Sequence, residues 1–305
     1  VQKRREVFSA LGLGLAGFTV GSGLMAATAC GRGEQDSGPA RARIEIIPGV
    51  VDVSDMRIAT REARGGDELV LIHPSLARGA LDYDIVLPTL ARAGYRVVSF
   101  DPRGIGATRN SDERLRDITL HDLADDVRAL VAALGATSAH LIGHDYGNRV
   151  MRTVAVDHPQ LVRSLTLWAA GAGTPEPEAL QILNTVIDDN APVDRFQAAV
   201  KKGFFAPGND PRVWYTGWYT RGGVSEWAAS TTTPVADYQL GGTARILIVQ
   251  GLQDFIAPPQ KSRDLQARMG ARASRVEIDH AGHCMVAEQP TQLSKVTIEF
   301  LHSIR

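Results

Sequence analysis

From Ile44 onward, short apolar runs alternate with patterns of helical period. Strands are predicted at Ile44–Ile47, Val50–Val53, Leu69–Ile72, Val97–Phe100, His140–Ile142, Leu165–Trp168, Ile246–Val249 and Arg275–Ile278. Helical patterns lie at Asp84–Ala93, Leu120–Leu134, Asn148–Asp157, Pro259–Met269 and Thr291–Ser303. This rhythm predicts an α/β sheet with helices on its faces. It breaks between Thr174 and Gly241, where Pro175, Pro177, Pro207, Pro211 and Pro234 divide several short helical stretches. That stretch reads as a helical cap inserted after the sixth strand. The predicted core is therefore residues 43–173 and 242–305, with the cap at 174–241.

The cap is rich in aromatic residues. Phe196, Phe204, Phe205, Trp214, Tyr215, Trp218, Tyr219, Trp227 and Tyr238 are half of the chain's Phe, Trp and Tyr. Such a cluster predicts an apolar pocket roof with phenol tips, and hence a small apolar ligand. Asp210-Pro211 is a good helix start. A helix from there places Trp214 over Trp218, and Tyr215 over Tyr219, at four-residue spacing.

The first 29 residues follow another logic. Lys3, Arg4 and Arg5 precede Val7–Ala29, which is uncharged but holds five glycines, and Ala27-Thr28-Ala29 are small. These are the parts of an export signal, and Arg4-Arg5-Glu6-Val7-Phe8 resembles the twin-arginine type. A retained single-span anchor is the alternative. Cys30 then stands where a lipoprotein cysteine would, competing with ordinary cleavage after Ala29. Residues 30–42 read as a flexible linker. The expected location is outside the bacterial cytoplasmic membrane, secreted, periplasmic or lipid-anchored.

Composition narrows the classes. A chain of 305 residues, 44% hydrophobic and 22% charged, excludes disorder, collagen and coiled coil. The net charge of −1 argues against a nucleic-acid surface. Without the signal, which carries net +2, it becomes −3. Two cysteines make no disulfide scaffold, and no Cys/His spacing suggests a metal.

The chemistry is concentrated in Gly143-His144-Asp145-Tyr146-Gly147, between an apolar strand and an amphipathic helix. Two glycines flank a residue where the strand must turn sharply, which projects the middle side chain at the positive helix end. This is a nucleophile elbow with Asp145 in place of serine. With Leu69–Pro74, Phe100–Gly106, Gly251–Asp254 and Gly282-His283 to Pro290, the chain resembles the α/β-hydrolase family over nearly all of Ile44–Arg305. The elbow resembles the branch of epoxide hydrolases and haloalkane dehalogenases.

The resemblance implies a mostly parallel eight-stranded sheet and the triad order Asp145, Asp254, His283, with no cofactor and no metal. His280 is the decoy histidine, expected at the surface. A carboxylate needs no base to open an epoxide or displace a halide, and leaves an alkyl ester. His283, held by Asp254, then activates the water that hydrolyses it. The oxyanion donors expected are the Tyr146 amide and that of Leu76 or Ser75, since Pro74 replaces the family's glycine. For substrate and leaving group the candidates are Tyr215, Tyr219, Tyr238, Trp218 and His73. Cap tyrosines favour opening a small epoxide to a diol. Dehalogenation of a haloalkane or haloacid is the alternative, and a non-catalytic ligand-binding relative the third reading.

Overall fold

A computed structural model describes residues 43–110, 115, 117–171 and 173–304 of the chain. Arg4, Arg5, Cys30 and the whole export reading lie outside the described residues.

The elements follow the apolar runs. Strands β1 (Ile46–Val53), β2 (Met56–Arg64), β3 (Leu69–His73), β4 (Arg96–Phe100), β5 (Arg109–Asn110), β6 (Ala139–His144), β7 (Val162–Trp168), β8 (Ile246–Gly251) and β9 (Ala273–Ile278) form one sheet. Its order is β1-β2-β4-β3-β6-β7-β8-β9, with the two-residue β5 against β2. β1, β2, β4 and β5 pair antiparallel, whereas every pairing from β4-β3 to β8-β9 is parallel. β3, β6 and β8 are buried along their whole length, as central parallel strands covered on both faces must be.

Two strand expectations are corrected at the edge. The runs Ile44–Ile47 and Val50–Val53 are one strand, β1, because Pro48 and Gly49 stay in register opposite Arg61 and Thr60. Proline is tolerated there because an edge strand leaves one side unpaired. The real second strand, β2, was hidden by its charges. Met56, Ile58 and Thr60 are buried while Arg57 is exposed and Arg61 half-buried, a half-buried strand of period two.

Helices α1 (Leu87–Arg92), α2 (Leu120–Ala133) and α3 (Tyr146–Asp157) lie between the strands of the first half. α2 begins at a capping box of Thr119 and Asp122. Between β7 and β8 come α4 (Pro177–Val186), α5 (Val193–Phe204), α6 (Thr220–Thr232) and α7 (Val235–Tyr238). α8 (Pro259–Met269), α9 (Met285–Glu288) and α10 (Pro290–His302) complete the chain. The helix expected from Asp210 stops after one 3₁₀ turn, Pro211–Trp214, although the Asp210 cap on the Arg212 amide forms as expected. Gly217 at φ +77° takes the backbone out of the helical region. Trp214 and Trp218 still meet edge to face at 5.8 Å, through the loop rather than a helix turn.

Among the described residues no helix is long and apolar enough to cross a membrane.

Candidate active site

The strand-to-helix turn after β6 is strained by design. Asp145, at φ 52° and ψ −110°, is a non-glycine residue in a sparsely populated region, a cost of about 1–3 kcal/mol. Its amide is held by the Trp168 carbonyl at 3.0 Å, and Asn148 Nδ2 reaches the same oxygen at 2.8 Å. The flanking glycines are required by contact. A Cβ on Gly143 would lie 2.4 Å from the Gly147 carbonyl oxygen, and one on Gly147 would lie 2.5 Å from that of His73.

The three triad candidates, far apart in sequence, converge above the C-terminal ends of β6 and β8. Asp145 Oδ1 stands 3.1 Å from His283 Nε2, off the axis of a hydrogen bond, so the contact is one of charge. His283 Nδ1 meets both oxygens of Asp254 at 2.9 Å. Asp254 is buried and fixed by the Ala257 amide at 2.8 Å and Gln250 Nε2 at 2.9 Å. The loop carrying His283 is anchored through Glu288, which accepts from the amides of Gly282 and Ala206 and from Asn209. His280 lies at the surface, as expected of the decoy.

Burial disfavours the charged form of the His283 ring, but the facing Asp254 and Asp145 outweigh it and push its pKa up to about 10. Burial likewise opposes ionisation of Asp145. The His283 charge, with help from the Ser75 hydroxyl, overcomes it and holds the carboxyl well below the usual range. The resting site is thus a carboxylate facing an imidazolium. Neutralising the carboxylate takes away one of the charges that raise His283. Asp145→Asn should therefore lower the His283 pKa from about 10, read by NMR titration of the ring. An unchanged value would mean that Asp145 and His283 are not coupled.

One amide points at the carboxylate. Leu76 N–H donates to Asp145 Oδ2 at 3.2 Å, and the Ser75 hydroxyl donates to the same oxygen at 2.8 Å. Ser75 was a candidate for its amide as well, but that amide is engaged by Tyr83 Oη at 3.0 Å. Tyr83 Oη also meets His144 Nδ1 at 2.9 Å, and His144 Nε2 lies 2.9 Å from the His283 carbonyl. A carbonyl can only accept, so Nε2 carries the proton and Nδ1 receives the tyrosine hydrogen. His144 therefore does more than pack locally: it links the loop after β3 to the backbone of His283. Burial keeps it neutral, with a pKa of about 4. The Tyr146 amide, at the first position of α3, has no intrahelical acceptor.

A cleft opens at Asp145. Its walls include Leu76, Tyr146, Leu183, Trp227 and Ile256, together with three cations, Arg149, Arg152 and Lys261. Five site expectations are corrected here. Tyr219 lies 39% exposed on a separate groove beside Gly79 and Asp101. Tyr238 is buried beneath the Arg152 guanidinium, 5.4 Å away, and Tyr215 is half-buried against the core. Trp218 donates its indole N–H to the Trp214 carbonyl. His73 is sealed beneath the elbow, on the Pro74 carbonyl and Phe100, and burial lowers its pKa to about 4. None of the five lines the cleft.

What the sequence reading passed over are the cations. Arg152 is 2% exposed and donates its hydrogen bonds to two carbonyls, those of Asn148 and Gln239. Burial lowers its pKa to about 10, and no carboxylate offsets that. Among the described residues Arg149 likewise has no acid partner. Asp145, Arg149 and Arg152 stand at i, i+4 and i+7 along α3, a spacing on one helix face that was there to be read. The cleft thus joins apolar walls to cations that the expected apolar roof did not include.

Comparison with known proteins places these features. Residues 68–210 match a family described as alpha/beta hydrolase fold, and residues 213–304 one described as TAP-like protein. The chain is 24% identical over 265 residues to a Mycobacterium tuberculosis protein named "Putative non-heme bromoperoxidase BpoC", covering 79% of this chain and 95% of that one. It is 33% identical over 120 residues to a fluoroacetate dehalogenase of a Burkholderia species, 39% of each chain. With epoxide hydrolase B of Mycobacterium tuberculosis it shares 42% over 74 residues, 24% of this chain and 20% of that one. Among solved structures, a hydrolase from Pseudomonas aeruginosa superposes with a TM-score of 0.70 at 24% identity, covering 83% and 98% of the two chains. An enol-lactonase from Burkholderia xenovorans gives 0.70 at 20%, covering 83% and all of that chain. At these identities the structural likenesses speak for the fold alone.

Proposed function

The chain belongs to the α/β-hydrolase fold family, and from that premise we propose that it is a hydrolase working through an alkyl ester on Asp145, with a small 2-halocarboxylate as its substrate class. The observation that carries the reading is a carboxylate at the strained elbow, paired with His283 and Asp254, in a cleft lined by Arg149 and Arg152, which have no acid partner among the described residues.

The steps follow from the geometry. The substrate carboxylate docks on Arg149 and Arg152, which fixes the neighbouring carbon over Asp145. An Asp145 oxygen attacks that carbon, and the carbon–halogen electron pair leaves as halide. Trp227 lines the cleft and is the residue whose indole N–H would meet the halide. The ester has no charge, so His283 loses one of the anions that raised its pKa and gives up its proton. As a base it takes a proton from water, which attacks the Asp145 carbonyl carbon. The oxyanion is met by the amides of Tyr146 and Leu76. Collapse of that intermediate returns the His283 proton to the departing hydroxyl and leaves one water oxygen in Asp145. The balance is halocarboxylate plus water to hydroxycarboxylate, halide and a proton.

Opening an epoxide needs a proton donor for the ring oxygen, and the cap tyrosines expected to serve, Tyr215, Tyr219 and Tyr238, do not line the cleft. Chloride release from chloroacetate and 1-chlorobutane should therefore be measured beside diol formation from styrene oxide. Chloroacetate is the expected substrate. Hydrogen bonds to a charged group contribute about 1.5–3 kcal/mol, so Arg149→Met should raise KM for chloroacetate roughly 10- to 100-fold. Diol from styrene oxide without chloride from chloroacetate would return the epoxide reading. No turnover of any, with binding unaffected by Asp145→Ala, would leave a binding protein.

A further inference from the structure

The cap does more than roof the cleft. The loop after β3, Ser75 to Arg78, which brings Leu76 N–H to Asp145, is attached to the cap segment 216–226 at four points. Tyr219 N–H donates to the Ala77 carbonyl at 2.9 Å, and Ala77 N–H donates to Glu226 Oε2 at 2.7 Å. Arg78, 1% exposed, donates to the Thr216 carbonyl at 2.6 Å and places its guanidinium 4.9 Å from the Trp218 ring centre. The fourth point is steric. A Cβ on Gly223 would lie 2.5 Å from that of Ala77, so α6 meets the loop backbone to backbone.

Ala77 is held where alanine does not rest. Its φ is +57°, a left-handed conformation that costs an L-residue roughly 1–2 kcal/mol. Both of its peptide groups are bonded by α6 and the residue that starts it, so the cap maintains the conformation. Ala77 adjoins Leu76, whose amide meets Asp145, so holding the one steadies the loop that carries the other.

Glu226 is the unusual member of the set. It is 1% exposed, has no cationic partner, and its second oxygen, Oε1, has no hydrogen-bond partner. Burial pushes its carboxyl well up, the Ala77 amide opposes this weakly, and the Asp145 charge adds to it. A glutamine at this position keeps the shape of the group and its acceptor for the Ala77 amide.

Resting on the alkyl-ester reading above, we propose that Glu226 is a positioning residue for the second half-reaction, holding Ala77 so that the Leu76 amide meets the oxyanion formed at Asp145. The first half-reaction, carboxylate attack, needs no oxyanion donor and does not depend on it.

The test uses chloroacetate and the full protein in rapid-quench kinetics. Glu226→Leu should still release one chloride per site in a burst, while turnover falls about 100-fold, the effect of an impaired oxyanion donor. KM should fall with it, because ester accumulates, and intact-mass spectrometry should show that ester. Glu226→Gln should recover most of the turnover. Ala77→Gly added to Glu226→Leu should recover part of it, since glycine takes the left-handed conformation unaided; this double variant also serves if the single one folds poorly. Burst and turnover falling together in Glu226→Leu would overturn the proposal, as would a Glu226→Gln variant as slow as Glu226→Leu. Failure of the alkyl-ester reading itself shows separately, as absence of ester in His283→Gln.

Discussion

His283→Gln should arrest the protein as an alkyl ester on Asp145. The resting carboxylate is ionised and needs no base, so chloroacetate should still release one chloride per site. Steady turnover should fall by about 10³-fold or more, because only the hydrolysis of the ester depends on an imidazole base. Mass spectrometry should find the peptide carrying Asp145 heavier by a carboxymethyl group. In the wild type, a single turnover in ¹⁸O-water should put the label into the Asp145 carboxylate, because water attacks the ester carbonyl and not the substrate carbon. Label passing straight to product, with no ester in the variant, would make Asp145 a base rather than a nucleophile.

Gly147→Ala should destabilise the protein and disable the site together. The added Cβ would stand 2.5 Å from the His73 carbonyl oxygen and 2.6 Å from that of Pro74. Both are backbone at the end of β3, where little can yield. Overpacking of this kind costs about 3 kcal/mol at the upper end of the usual range, a fall of roughly 6–12 °C in Tm for a domain of this size. The same movement would displace Ser75 and Leu76 from Asp145, so activity should be lost even in the cold. Gly135→Ala is the control. Its φ of +77° carries the left-handed cost, but nothing lies within 4 Å of the new carbon, so only about 1–2 kcal/mol is at stake. Equal losses in the two variants would show that the end of β3 yields to the new carbon and that the close approach does not demand glycine at position 147.

The sequence by itself determined those features whose cause is local. The buried strands β3, β6 and β8 are continuous apolar runs, and their burial on both faces follows from composition alone. Asp145 was legible because the elbow is a short-range device, two glycines and a central residue set between a strand and a helix. Asp254 and His283 were legible at the ends of their own strands, and the sheet then carried all three to one edge. Strand β2 escaped because alternation with Arg57 and Arg61 on its outer face resembles a polar loop when no partner strand is in view.

Only the tertiary structure decided what surrounds Asp145. Whether a cap tyrosine faces the nucleophile depends on how α4 to α7 fold back over the sheet, and no spacing along the chain encodes that. Gly217 ended the short turn at Pro211, and so Tyr215, Tyr219 and Trp218 went to other neighbours while Trp227 reached the cleft. The same folding left Arg149 and Arg152 without acids, and set Glu226 against an amide 149 residues earlier in the chain. Local pattern gives an element its type and inner face, whereas the pairing of polar groups across the cleft is settled when distant segments compete to satisfy one another on burial.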